Sequence, residues 1–237
     1  MRKKGWILGT LVIAFGAWAL TGCRPRDRVL QVFSPTAAAI AQETSGQGAL
    51  EFPFAVPDTG LIVQNLAQYE GPFLETEDQE PVAQVAALMI YNPGDRQIAS
   101  AELVVMQGQR KLSFSVTCLP PRSRVLVLEK DGQLYSPEPI KQCLCLSLAE
   151  EMPQAVEIQV TDRENGLEVK NLTSTEKTVI LYYKQYISDG GFYLGGVTGQ
   201  TRVEGLGAGE SRNIVAAGYA PGYCHIVKMQ IESPRLE

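Results

Sequence analysis

The chain has 237 residues with 21 Lys+Arg against 26 Asp+Glu, a formal net charge of −5. That length accommodates one large domain or two small ones. The acidic balance is repelled by phosphate backbones, so nucleic acid is disfavoured as a partner.

Arg2, Lys3 and Lys4 open the chain, Gly5 to Leu20 carry no charge and are mostly apolar, and Thr21-Gly22-Cys23 follow. A basic stretch, a short apolar stretch and small residues at the end have the order of a secretory signal. A spanning helix needs about 20 apolar residues. This run is shorter, and Gly5, Gly9 and Gly16 weaken it as a helix. Leu20-Thr21-Gly22-Cys23 resembles the lipobox of bacterial lipoproteins. The resemblance implies cleavage before Cys23 and acylation of its thiol with diacylglycerol and palmitate-type chains, two of which hold firmly where one would not. An uncleaved signal anchor with an incidental cysteine is the alternative. Loss of residues 1–22 removes Arg2, Lys3 and Lys4 and no acid, leaving 18 Lys+Arg against 26 Asp+Glu, a formal −8.

Residues 23–50 read as a tether: Arg24, Arg26 and Arg28 beside the acylated cysteine, a short Ala-rich stretch, then Gln42-Glu43-Thr44-Ser45-Gly46-Gln47-Gly48 with nothing to bury. A flexible chain of about 27 residues has a root-mean-square reach of roughly 26–31 Å. Glu75, Glu77, Asp78 and Glu80 mark an acidic loop without calcium-binding spacing.

From about residue 82 the text is strand-like. Val82–Tyr91 is largely apolar and ends in the turn Asn92-Pro93-Gly94-Asp95. Ile98–Met106 follows, and then Leu112, Phe114, Val116 and Cys118 alternate with Ser113, Ser115 and Thr117, the period of a half-buried strand. Val125–Leu128 and the run holding Leu144, Leu146 and Leu148 complete this series. A second series runs from Val156 through Gly166–Asn171, Thr178–Tyr186, Phe192–Val203, Asn213–Ala216 and Cys224–Ile231. Helical periodicity is not evident, and short strands between turns predict an all-β chain of antiparallel sandwiches. The halves read as copies: Asn92 matches Asn171, and Leu119-Pro120-Pro121-Arg122-Ser123 matches Leu206-Gly207-Ala208-Gly209-Glu210-Ser211. The order resembles two tandem immunoglobulin-like or fibronectin-III-like domains of bacterial surface proteins, at residues 51–152 and 153–237. The Cys…Trp…Cys signature is missing, since Trp6 and Trp18 both lie in the signal segment.

With Cys23 acylated, Cys118, Cys143, Cys145 and Cys224 remain, in a compartment that permits disulfides. Cys143 and Cys145 face the same way on one strand, opposite the leucines, with Cα atoms about 6.6 Å apart, at the outer limit for a bridge. The expected link is from Cys118 to one of the two, Cys143 first. His225, the only histidine, reads as a packed strand residue. No Gly-x-Ser-x-Gly elbow accompanies it, and a Cys3His zinc site with Cys118, Cys143 and Cys145 has scattered spacing and no CxxC. Gly205–Ser211 lacks the Gly-Lys-Ser/Thr ending of a phosphate loop and reads as a turn. No catalytic residue, metal ligand or cofactor is therefore expected.

Tyr186, Phe192 and Tyr193 flank Ser188-Asp189-Gly190-Gly191 at the tip of a hairpin longer than its counterpart in the first copy. Aromatics at a tip suit contact with a protein or glycan; the alternative is strand aromatics facing a core. The expectation is a non-enzymatic, membrane-anchored lipoprotein outside a bacterial cytoplasm. It holds the membrane through Cys23 and binds an envelope protein or glycan as an adhesion or assembly module. An envelope hydrolase, or an accessory subunit of one, is the alternative.

Overall fold

A computed structural model describes residues 48–76, 78–152, 156–196 and 198–232. The signal segment, most of the tether including Cys23, and Glu77 lie outside the described residues. Those residues form strands and no helix: β1 (Phe54–Ala55), β2 (Ile62–Pro72), β3 (Pro81–Asn92), β4 (Gln97–Gln107), β5 (Arg110–Leu119), β6 (Ser123–Leu128), β7 (Gln142–Glu151), β8 (Ile158–Arg163), β9 (Gly166–Asn171), β10 (Lys177–Ile187), β11 (Phe192–Leu194), β12 (Gly199–Leu206), β13 (Ser211–Ile214) and β14 (Cys224–Glu232).

In the first sandwich-like unit, β1-β2-β3-β6 faces the three-stranded sheet β5-β4-β7. Leu112, Phe114 and Val116 of β5 are fully buried while Ser113, Ser115 and Thr117 point outward, as alternation requires. β3 behaves differently. Val85 through Ile90 are all buried, because Ala86, Leu88 and Ile90 face the opposing sheet while Val85, Ala87 and Met89 belong to a second apolar cluster on the outer face. A strand covered on both faces has no polar side to display, hence its unbroken apolar run. In the second unit, β13-β9-β8 packs over β12-β10-β14 around Ile158, Leu167, Val169, Val179, Leu181, Val203 and Leu206.

The matched turn asparagines do the same work in both units. Asn92 Nδ2 donates to Arg96 O at 2.8 Å and Pro120 O at 3.2 Å, while its Oδ1 accepts from Gly94 N at 3.1 Å. Asn171 Nδ2 donates to Thr175 O at 2.7 Å, Leu206 O at 2.9 Å and Gly207 O at 3.0 Å, and its Oδ1 accepts from Thr173 N at 2.9 Å. Each buried amide thus pins the turn after its own strand to the Leu-turn-Ser segment before β6 or β13. Gly205–Ser211 is a turn, with Glu210 N donating to Gly207 O at 3.0 Å and Gly207 N to the Glu210 carboxylate at 2.7 Å.

The outer edge of β5 is covered near its start by the chain after β6. Lys130 N donates to Ser113 O at 2.9 Å. Beneath it Glu129, wholly buried, accepts from Ser113 N, Asp131 N, Gln133 N and Gln133 Nε2 at 2.9–3.2 Å. Four donors compensate the loss of water around a buried carboxylate.

Two expectations about elements change. β2 precedes the strand-like stretch that the sequence predicts from residue 82: its register shifts between Val63 and Asn65 and again between Tyr69 and Gly71, which breaks the alternation of Ile62–Pro72. The single strand expected over Phe192–Val203 is β11 and β12, separated at Gly195-Gly196.

Candidate functional site

β11 is the element that the first unit's β4–β5 hairpin has no equivalent of, and it does not project outward. It pairs with β10 (Tyr186↔Tyr193, Ile187↔Phe192) and runs parallel to β6 (Tyr193↔Val125, Leu194↔Leu126). Phe192 is 1% exposed, within the outer cluster with Leu126, Leu128 and Met89. Tyr193 turns to the opposite face and joins the core between the first unit's two sheets. Tyr186 is half-buried beside it, with ring centroids 5.0 Å apart. The residues expected to present an aromatic tip are therefore turned inward, because the hairpin lies across the first unit.

The backbone can approach this closely only because of Gly195-Gly196. A Cβ on Gly195 would sit 2.5 Å from Leu126 O, and one on Gly196 (φ +76°) would sit 1.3 Å from Leu74 O. Gly195 N donates to Leu126 O at 2.6 Å. The pair of glycines was the missed signal.

Behind the arm lies a buried polar group of three elements. Lys184 of β10 is 3% exposed, and among the described residues its Nζ donates to Gly196 O alone, at 3.4 Å. Burial lowers its pKa to about 8, against weak support from the Cys118 and Glu75 charges. Glu75, in the loop between β2 and β3, accepts from Leu128 N at 2.8 Å, and burial raises its pKa. Cys118 is raised for the same reason. Further ties between the units are Thr117 Oγ1 with Thr198 Oγ1 at 3.1 Å, Gln97 Nε2 to Val227 O at 2.9 Å, and the ion pair Lys228–Glu151.

His225 lies on β14, its ring stacked on Tyr186 at 4.4 Å and its Nδ1 sharing a 3.3 Å hydrogen bond with the Tyr193 hydroxyl. A cleft of about 260 Å³ nearby is lined by Gln97, Glu151, Ile158, Ile226, Lys228 and Met229, without His225.

The four cysteines of the described residues are free thiols. The expected Cys118–Cys143 bridge is corrected by sheet geometry. Cys118 lies against the Ile98–Ser100 end of β4, whereas Cys143 is opposite Val105 on the other side of that strand. Six residues along β4 separate the two positions by about 20 Å, far beyond the 4.4–6.8 Å Cα spacing of a disulfide. Cys143 and Cys145 do share a face: Cys143 is in the core and Cys145 packs against it, while Leu144 and Leu146 point outward. The Cys3His arrangement fails for the same reason, and among the described residues no three His, Cys, Asp or Glu side chains are grouped closely enough to hold a metal ion.

Among the described residues, a pair of exposed leucines lies on a strand paired on one side only. β7 is the outer strand of β5-β4-β7 and pairs on one side with β4. Leu144 is 40% exposed and Leu146 64%. Strand edges with outward leucines are where another backbone adds most readily. A register shift between Ser147 and Cys145, at Leu146, bends the strand there. No protein-family model, curated protein or solved structure matches the chain.

Proposed function

We propose that the chain is a lipid-anchored extracytoplasmic protein of a bacterium. Its two tandem β-sandwich domains, of immunoglobulin or fibronectin-III type, form a non-catalytic binding, adhesion or envelope-assembly module. The observation that carries the reading is Leu20-Thr21-Gly22-Cys23 behind a basic and then an apolar stretch. Acyl chains on Cys23 fix the protein at the membrane, and the tether gives the acidic body reach. The domains span residues 51–152 and 153–237. Partner contact falls on the β7 rim at Leu144 and Leu146, since Phe192 and Tyr193 are committed to the interior. The chemistry needed for catalysis has no support in the placement of His225, whose ring is occupied by Tyr186 and Tyr193.

Cys23→Ala expressed in a bacterial host should move the protein from the membrane to the soluble fraction, and the mature wild type should carry acyl mass on its first residue. Membrane retention of the variant, or an unmodified thiol at that position, overturns the reading. Leu144→Lys with Leu146→Lys should abolish crosslinks to the envelope partner in intact cells while leaving the urea midpoint unchanged; crosslinks that persist remove β7 from the proposal.

A further inference from the structure

We infer that β11 is an intramolecular donor strand: the first unit's sheet is incomplete at β6, and the second unit supplies the missing strand. Three observations converge. β6 pairs with β3 on one side only, and without β11 no strand pairs with its other side, where Glu75 takes Leu128 N. That edge borders the apolar face of Val85, Ala87, Met89, Leu126 and Leu128, which Tyr69 and Leu74 of the first unit cover in part and which Phe192 and Leu194 complete. The fit is specific to this segment, because Leu126 O takes its hydrogen bond from Gly195 N and any side chain on Gly195 or Gly196 would strike the backbone of Leu126 or Leu74.

The chemistry of the acceptor follows from the register. It takes an extended peptide parallel to β6 with an aromatic side chain on the outer face, a tyrosine on the inner one, a leucine on the outer one and then two residues without Cβ atoms. An open edge beside an apolar face is an aggregation-prone surface, so occupancy in cis makes the two units one folding unit. This inference is independent of the lipid anchor, since it is read in the purified soluble body.

Its test uses the mature chain lacking the signal, as wild type and as Phe192→Asp and Gly196→Val. The readouts are hydrogen exchange, calorimetry and binding of a labelled Gly-Gly-Phe-Tyr-Leu-Gly-Gly peptide, the sequence of residues 190–196. The wild type should unfold in one transition and ignore the peptide. In both variants, protection of Ser123–Leu128 should fall by about a hundredfold, the transition should split, and added peptide should restore protection. A variant that keeps a single transition with β6 protected overturns the inference. So does one that loses structure throughout and recovers nothing with peptide, because an acceptor that depends on its strand must respond when the strand is returned.

Discussion

Replacing Lys184 by Met should stabilise the protein at neutral pH and do so less as the solution becomes alkaline. The side chains have similar length, and among the described residues Lys184 gives up water for one 3.4 Å contact with Gly196 O. Its pKa falls from 10.5 in the unfolded chain to about 8 in the fold. At about 1.4 kcal/mol per pH decade, burying the ammonium costs about 3 kcal/mol below pH 8. The folded state releases the proton at lower pH than the unfolded state does. Between the two pKa values unfolding therefore takes up a proton, and wild-type stability rises until the penalty vanishes above the unfolded value. Loss of the Gly196 contact subtracts about 1 kcal/mol, leaving Lys184→Met about 2 kcal/mol more stable at pH 7. Titration of the tyrosines, Cys143 and Cys224 is common to both proteins and cancels in the difference, whereas Cys118 loses the charge of Lys184 in the variant, which lowers the variant's alkaline advantage further. Urea unfolding followed by circular dichroism at pH 7 and pH 10 measures it. A variant less stable than wild type at pH 7, or an advantage of the same size at both pH values, would refute the reasoning.

Asn171→Ala should cost about 3 kcal/mol and Asn92→Ala about 2 kcal/mol in urea unfolding, since each strands buried carbonyls that lose their donors; equal, small effects would remove the amides as turn pins. In native protein treated with iodoacetamide, Cys145 should react first. Cys118, and Cys143 with its pKa pushed up by burial to about 12, should stay silent until urea is added. Intact mass after denaturing alkylation should show Cys118, Cys143, Cys145 and Cys224 all carbamidomethylated, and a mass short by two carbamidomethyl groups would restore a bridge.

The strands legible in the sequence were those with an unbroken apolar run, like β3, or a regular alternation or clear boundaries. β5 declared itself because Ser113, Ser115 and Thr117 mark the solvent side residue by residue. β9 did so because Gly166 and Asn171 bracket it. β2 hid behind two bulges, which shift the period that a reader counts. The fate of the aromatic hairpin was ambiguous in principle. Phe192 and Tyr193 have the same local pattern whether a hairpin tip meets solvent or another sheet, and only the glycines after Leu194 hinted at a backbone neighbour. The buried group of Lys184, Glu75 and Cys118 was invisible because its members are 43 or more residues apart and meet only through the crossing of the two units. The cysteines show the limit from the other side. Their facing on β7 followed from counting by two, but the distance to Cys118 depended on which end of β4 each strand reached.

The covering of β5 by the Glu129 hairpin has a consequence for how copies can meet. Of the two rims of the β5-β4-β7 sheet, the one at β5 is covered over Lys111–Ser113 by Glu129, Lys130 and Gln133, and among the described residues no strand pairs with the other at Gln142–Glu151. A second molecule that joins through β7 uses that strand on both copies. Association of this kind terminates at a pair.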